Sequence, residues 1–254
     1  MVGCLAKNII ATYAGLAYDQ GVPGAGHPAG TRGSEGDESV SLETIEAVSR
    51  WNGGLFGIFV FALIFVGIFQ GTRRPVGKTM GSSPGLLHSP LFYIAAGTVF
   101  FGVCILLWRP LPLNLPKIGR IAALILGFLL YFPGMVLTMW GRLVLGKMYF
   151  VSTGMEAQLF TDHRLVTHGP FAIVRHPIYL GLTIAAVGGL FLFQTWAMFI
   201  FLMLPFGLAR RALIEEQLLA EAFGGQWLAY CQRVPAWWPR LRIESDKSGK
   251  DSPT

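Results

Sequence analysis

Apolar residues run along this chain in long unbroken stretches, without the alternation or three-to-four spacing that marks a half-buried strand or helix. Three of these stretches, roughly 55–70, 91–108 and 118–140, predict transmembrane helices. The first two lie near the short end of the ~17–25 residues needed to cross a hydrocarbon core. Pro133, with Gly134 beside it, predicts a kink in the third. A fourth apolar region, 178–209, is too long for one span, since a single helix of that length would reach roughly 50 Å. Gln194 and Thr195 interrupt it near the middle, which predicts a helical hairpin of two short arms. The pattern as a whole predicts an all-α integral membrane protein with about five transmembrane helices.

The polar stretches between these runs define the organisation. Residues 1–53 hold six acidic residues against Lys7, Arg32 and Arg50, are rich in glycine, and read as a flexible or poorly ordered tail. Residues 54–140 carry three spans, 141–241 carry the hairpin and most of the chemistry, and 242–254 read as a disordered polar tail. With five spans, one side receives fourteen Lys/Arg and the other six. Positive-inside bias therefore places the 141–177 loop and the C-terminus in the cytoplasm and the N-terminus outside.

Composition agrees. The 254 residues are 53% hydrophobic and 13% charged, about half the charged fraction of a soluble domain. The net charge of +6 sits beside apolar spans and forms no basic patch interleaved with aromatics, so nucleic acid is not an expected partner. Cys4, Cys104 and Cys231 show no metal spacing and no disulfide framework. The run GVPGAGHPAG imitates a phosphate loop through Gly24, Gly26 and Gly30. No apolar strand precedes it, and Pro28 stands where a helix would begin, so it reads as linker.

Nearly all residues with possible chemistry fall in two polar segments flanking the hairpin, Asp162 to Tyr179 and Ala209 to Pro235. An antiparallel hairpin brings the two together. Pro177 turns His176 away from helical geometry and suits the first position of the following helix. Arg175 and His176 then have two readings: anchors at the lipid headgroups, or part of a site. His163, His168 and His176 have no carboxylate or cysteine at ligand spacing, so no metal is expected. Arg211 and Glu215 share a helix face; at a surface such a pair contributes only ~0.3–0.5 kcal/mol. Held close to the bilayer, charges of this kind are functional candidates.

The segments HRLVTHGPFAIVRHPIYLG and RALIEEQLLAEAFGGQWLAYCQRVP, in this order around a hairpin, resemble the isoprenylcysteine carboxyl methyltransferase family. That family is related to phospholipid N-methyltransferases and, more distantly, to sterol reductases. The resemblance runs from about Gly141 to Leu241. It implies S-adenosylmethionine as cofactor, bound in a cytosolic pocket without a Rossmann domain. The implied contacts are His163, Arg164, Leu165, Val166, Phe171, Arg175, His176, Pro177, Ile178, Tyr179 and Glu215. Arg211 matches the arginine beside the family's methyl acceptor, and Glu216 is the candidate base for an acceptor that must lose a proton. Three departures stand out. Phe171 replaces the usual tyrosine, Trp227 replaces another, and either Glu156 or Gln158 lies where the family has a cofactor-binding glutamine.

These residue types suit a sulfonium methyl donor, which carries a fixed positive charge, an amino group and a carboxylate. Glu215 can meet the amino group, aromatic faces at Tyr179 and Phe171 can face the cation, and His176 or Arg175 can donate to the carboxylate. The expected activity is methyl transfer to a small or lipophilic acceptor reached from the lipid bilayer. A carboxylate acceptor is favoured, and a phospholipid amine or a small thiol is the alternative. A nicotinamide-dependent membrane reductase and a non-catalytic scaffold are the readings from other classes. The acceptor's identity and the oligomeric state are not written in the residues.

Overall fold

A computed structural model of the chain describes residues 32–80, 90–149 and 157–239. Two compact units are distinguished, Met1–Glu43 and Thr44–Thr254. Of the first unit, only the helical residues from Arg32 onward are described. The expectations for residues 1–31, with Cys4 and the glycine run, and for the C-terminal tail from 242, lie outside the described residues.

Helices α1 (Arg32–Thr72), α2 (Pro90–Leu106), α3 (Lys117–Leu145), α4 (Pro177–Phe193), α5 (Trp196–Phe201), α6 (Leu204–Phe223) and α7 (Gly225–Arg233) account for most of the described chain. Among the described residues, three helical stretches are long and apolar enough to cross a membrane: Leu42–Thr72, Lys117–Met148 and Trp196–Phe223. The apolar helices α2 and α4 are shorter. Large apolar side chains stay exposed on these elements, with Ile105, Ile118 and Phe206 each at least 74% accessible. Lipid is the solvent in which such surfaces are stable. The molecule is an integral membrane protein.

Two expectations are corrected here. Residues 32–53 were assigned to a flexible tail, but α1 runs continuously from Arg32. The stretch from Asp37 to Trp51 contains neither glycine nor proline, so nothing in it halts a helix. Within that stretch, buried Glu46 accepts hydrogen bonds from Arg120 Nε and Nη2, both at 3.0 Å, and lies 3.7 Å from Arg50. The second correction concerns the all-α assignment. A two-stranded antiparallel ribbon pairs β1 (Val76–Met80) with β2 (Ala157–Phe160), Val76 opposite Phe160 and Met80 opposite Ala157. Leu159 and Phe160 are buried in a cluster with Leu218 of α6. Pairing with β1 satisfies the backbone polar groups that this burial removes from water.

The centre of the membrane region is the packing of α3 against α4, and glycine makes it possible. Gly127, Gly134 and Gly141 recur every seventh residue of α3, and Gly181 and Gly188 stand seven apart on α4. A Cβ on Gly134 would lie 2.6 Å from the Ala185 nitrogen, and one on Gly188 would lie 2.2 Å from the Tyr131 nitrogen. Without a hydrophobic drive between helices in lipid, such close backbone approach supplies the attraction through van der Waals contact. Val60, Tyr131, Met135, Ala185, Leu192 and Phe193 complete the cluster, and the Tyr131 hydroxyl donates to the Gly53 carbonyl at 2.9 Å.

Helix α4 stops where the sequence interrupts its apolar run. Gln194 adopts the left-handed conformation at φ 53°, and the Thr195 side chain then caps α5 by accepting from the Met198 N–H. The chain reverses there and returns through α5 and α6 to the level at which α4 began. The polar segments on either side are thereby brought face to face.

Candidate active site

The segment before α4 is shaped by its glycine and its prolines. Gly169 has φ 63° and opens a short 3-10 turn, Gly169–Ala172. Pro177 is the first residue of α4, where its missing N–H leaves nothing unsatisfied. The segment is held from the other side by the chain that follows α7. Arg175 N–H donates to the Pro235 carbonyl at 2.9 Å, and His176 N–H to the Ala236 carbonyl at 3.2 Å. The Tyr230 hydroxyl donates to the Phe171 carbonyl at 2.7 Å. Burial pushes the Tyr230 phenol above its usual range, so it stays a neutral donor.

Between these elements and α6 lies a cleft that opens to solvent. His163, Arg164, Leu165, Val166, Phe171, Arg175, His176, Pro177, Ile178, Tyr179, Glu215 and Arg211 all line it. The structure thus brings together the implied contacts from His163 to Tyr179 and Glu215, with the arginine offered for the acceptor. Glu156 lies outside the described residues, and Gln158 stands in β2 away from the lining set.

At the centre, Glu215 Oε1 accepts from the Tyr179 hydroxyl at 2.5 Å and from Arg211 Nε at 3.0 Å. The Arg211 guanidinium also lies 5.5 Å from the Tyr179 ring centroid. Glu215 is 8% exposed, a carboxylate largely withdrawn from water and compensated by these donors.

Glu216 departs from its expected place, for it is absent from the cleft lining. Its Oε1 instead accepts from His176 Nε2 at 2.8 Å and Arg175 Nη2 at 3.1 Å. Consecutive residues of a helix point about 100° apart, and here Glu215 turns into the cleft while Glu216 turns toward the loop before α4. Glu216 ties the loop before α4 to α6. The His176 ring stacks on Tyr179 at 5.6 Å and packs against Trp237 at 5.4 Å.

Beyond the expected set, Tyr149, Trp227 and Tyr230 also line the cleft. Trp227 and Tyr230 lie three apart on α7 and so share a face, a spacing visible in FGGQWLAY. Tyr149 carried no sequence signal, because only the turn Gly146–Met148 directs it inward. At the outer edge, burial and nearby Arg74 push the His163 imidazole down to about 4, with Asp162 opposing, so the ring is neutral near pH 7.

A carboxylate, several aromatic faces and basic donors in one partly enclosed cleft fit a small cationic ligand that carries its own carboxylate. Arg175 Nε is buried and has no hydrogen-bond partner among the described residues, a donor available to such a ligand.

Residues 122–226, from α3 into α7, match the phospholipid methyltransferase family. Three curated relatives match part of the chain. Over 88 residues the chain is 35% identical to protein-S-isoprenylcysteine O-methyltransferase B of Arabidopsis thaliana, covering 30% of this chain and 40% of that protein. Over 83 residues it is 36% identical to protein-S-isoprenylcysteine O-methyltransferase of Schizosaccharomyces pombe, covering 32% and 35%. Over 89 residues it is 34% identical to the cobalt-zinc-cadmium resistance protein CzcN of Cupriavidus metallidurans, covering 34% and 41%. The resemblance to isoprenylcysteine carboxyl methyltransferases is borne out in this region. The matched stretch spans less than half the length of each of these relatives.

Proposed function

We propose that the protein is an integral membrane methyltransferase, transferring a methyl group from S-adenosylmethionine to a lipophilic or small acceptor at the cleft between α4, α6 and α7. The observation that carries this reading is the convergence of the family-like residues of two distant segments on Glu215, Tyr179 and Arg211.

Each residue has a role that its position supports. Glu215 meets the donor's amino group, and Tyr179 fixes the orientation of that carboxylate. The faces of Tyr179, Trp227 and Phe171 surround the positive charge, an arrangement that contributes ~0.5–2 kcal/mol per good contact. Arg175, His176 and Arg164 hold the donor's carboxylate and ribose. When bound, the cofactor supplies a sulfonium-activated methyl group open to in-line attack. Arg211, at the cleft wall beside Tyr179 and Glu215, orients an anionic acceptor by its charge, and orientation of this kind can lower a barrier by ~7–11 kcal/mol. An ionised carboxylate acceptor needs no base. That suits a cleft in which Glu216 is committed to Arg175 and His176.

Positive-inside counting supports a cytoplasmic cleft and an external N-terminus, with α2 and α4 as the fourth and fifth spans. The acceptor then enters from the bilayer, while the water-soluble donor arrives from the cytosol. A phospholipid amine is the second reading, favoured by the match to the phospholipid methyltransferase family.

Calorimetry with S-adenosylmethionine on the purified full chain in detergent tests the cofactor assignment, with Glu215→Ala and His176→Ala as comparisons. Saturable binding that these changes weaken supports the reading, and a folded wild type without binding refutes it. Transfer of a radiolabelled methyl group to membrane extracts then separates the acceptors, since a methyl ester is released by mild base and an N-methyl group is not.

A further inference from the structure

A second recess lies on the far side of Tyr149 from the cleft. Gly67, Gln70, Gly71, Arg73, Arg74, Gly146, Lys147 and Tyr149 line this notch, which opens to solvent. It sits where two of the long apolar stretches end, Leu42–Thr72 and Lys117–Met148.

Charge in and behind the notch is strongly unbalanced. Arg73, Arg74 and Lys147 line it, and Arg142 lies directly behind Gly67. Against these four cations, the carboxylate they meet among the described residues is Asp162, which pairs with Arg74 at 2.5 Å. Arg142 is the telling member. It is 7% exposed and donates to the Gly146 carbonyl at 3.2 Å, with its guanidinium 4.6 Å from the Tyr149 ring centroid. Its Nε has no hydrogen-bond partner among the described residues. A Cβ on Gly67 would fall 2.3 Å from Arg142 Nη2, so the glycine makes room for the guanidinium.

Capping of helix C-termini explains part of this arrangement. Arg142 reaches the Gly146 carbonyl, and Arg74 Nη1 donates to the Lys147 carbonyl. It leaves Arg73 and Lys147 unpaired with any acid among the described residues, and it does not account for a buried arginine without a counter-ion. Such a group near a membrane boundary calls for an anion. Cationic groups gathered at one recess, Arg73 and Arg74 from the end of α1 and Lys147 from the end of the α3 stretch, match the oxygens of a phosphate. Exposed Val66, Phe69 and Leu143 continue from the notch along the apolar helices and offer a surface for acyl chains.

We propose that this notch binds the phosphate of an anionic phospholipid headgroup, at a site separate from the cleft and divided from it by Tyr149. The site does not depend on the methyltransferase reading, because its ligand and its readout are distinct.

The test uses the purified full-length protein, delipidated in neutral detergent, and native mass spectrometry with phosphatidylglycerol or phosphatidylcholine of identical acyl chains. The wild type is expected to bind phosphatidylglycerol at least tenfold more tightly. The double variant Arg73→Gln/Lys147→Gln, changed only at exposed side chains, is expected to lose that preference, as is Arg142→Gln where it folds. Inorganic phosphate that binds the wild type as tightly as phosphatidylglycerol, and is lost in the double variant, supports the phosphate chemistry but makes the source a soluble one. Equal affinity for the two lipids, or a preference that survives in the double variant, overturns the proposal.

Discussion

The Tyr179 hydroxyl donates to Glu215 Oε1 over 2.5 Å, joining the first turn of α4 to the middle of α6. Arg211 reaches the same oxygen at 3.0 Å, so one carboxylate atom is shared by a residue assigned to the donor and one assigned to the acceptor. Hydrogen bonds to charged groups are worth ~1.5–3 kcal/mol. Glu215→Ala is therefore expected to weaken cofactor binding about 10- to 100-fold, and Tyr179→Phe by a smaller factor, as read by calorimetry.

Arg211→Ala separates the two roles. Turnover should fall at least about 100-fold, since a lost transition-state contact of ~2.7 kcal/mol has that effect. Cofactor affinity should fall less than in Glu215→Ala. Equal losses of affinity in the two variants would remove the separate role for Arg211.

Glu216 acts through the residues it holds. Glu216→Ala frees Arg175 and His176 together and should weaken cofactor binding roughly tenfold, while Glu216→Gln, which keeps an acceptor oxygen, should recover part of the loss. A Gln variant no better than Ala would show that charge, rather than the hydrogen bonds, sets the loop's position.

The α3–α4 seam should tolerate no side chain at its closest point. Gly188→Ala is expected to lower the yield and melting temperature of folded protein in detergent, because the new Cβ meets the α3 backbone. Gly54→Ala, with no atom within 4 Å of the new Cβ, serves as the comparison and should be neutral or slightly stabilising.

His163 provides a pH dependence with a definite sign. Its imidazole is held at about 4, below the ordinary 6.5, so the unfolded chain binds the proton more readily than the folded one. Its contribution to stability is complete above pH 6.5 and is lost as pH falls toward 4. Thermal melts in detergent should show a steeper decline across that window for wild type than for His163→Gln.

Long apolar helices were legible because lipid demands them, and the break at Gln194–Thr195 was legible because two polar residues stand in the middle of an apolar run. Less of the connecting structure could be read. The ribbon of β1 and β2 depends on partners some eighty residues apart, and neither five-residue VGKTM nor four-residue AQLF has the length to declare a strand. The α3–α4 seam was written in the seven-residue recurrence of glycine, yet identical glycines in a lipid-facing row would have meant nothing. What they pack against is a tertiary fact.

The same division holds at the cleft. The chemistry of the segments Asp162 to Tyr179 and Ala209 to Pro235 follows from residue types that local sequence fixes: a proline-led helix start, a pair of adjacent acids, aromatic spacing on a short helix. Sequence alone therefore determined a membrane protein with a polar constellation at one end of a hairpin. Residue types alone did not decide between Glu215 and Glu216, which sit on the same helix and differ only in rotation; the family resemblance offers Glu215 to the cofactor and Glu216 as a base. The packing of α6 against the loop before α4 made that choice, turning Glu215 into the cleft and committing Glu216 to Arg175 and His176. Direction around a helix acquires meaning only when something is packed against it, and that is supplied by the fold.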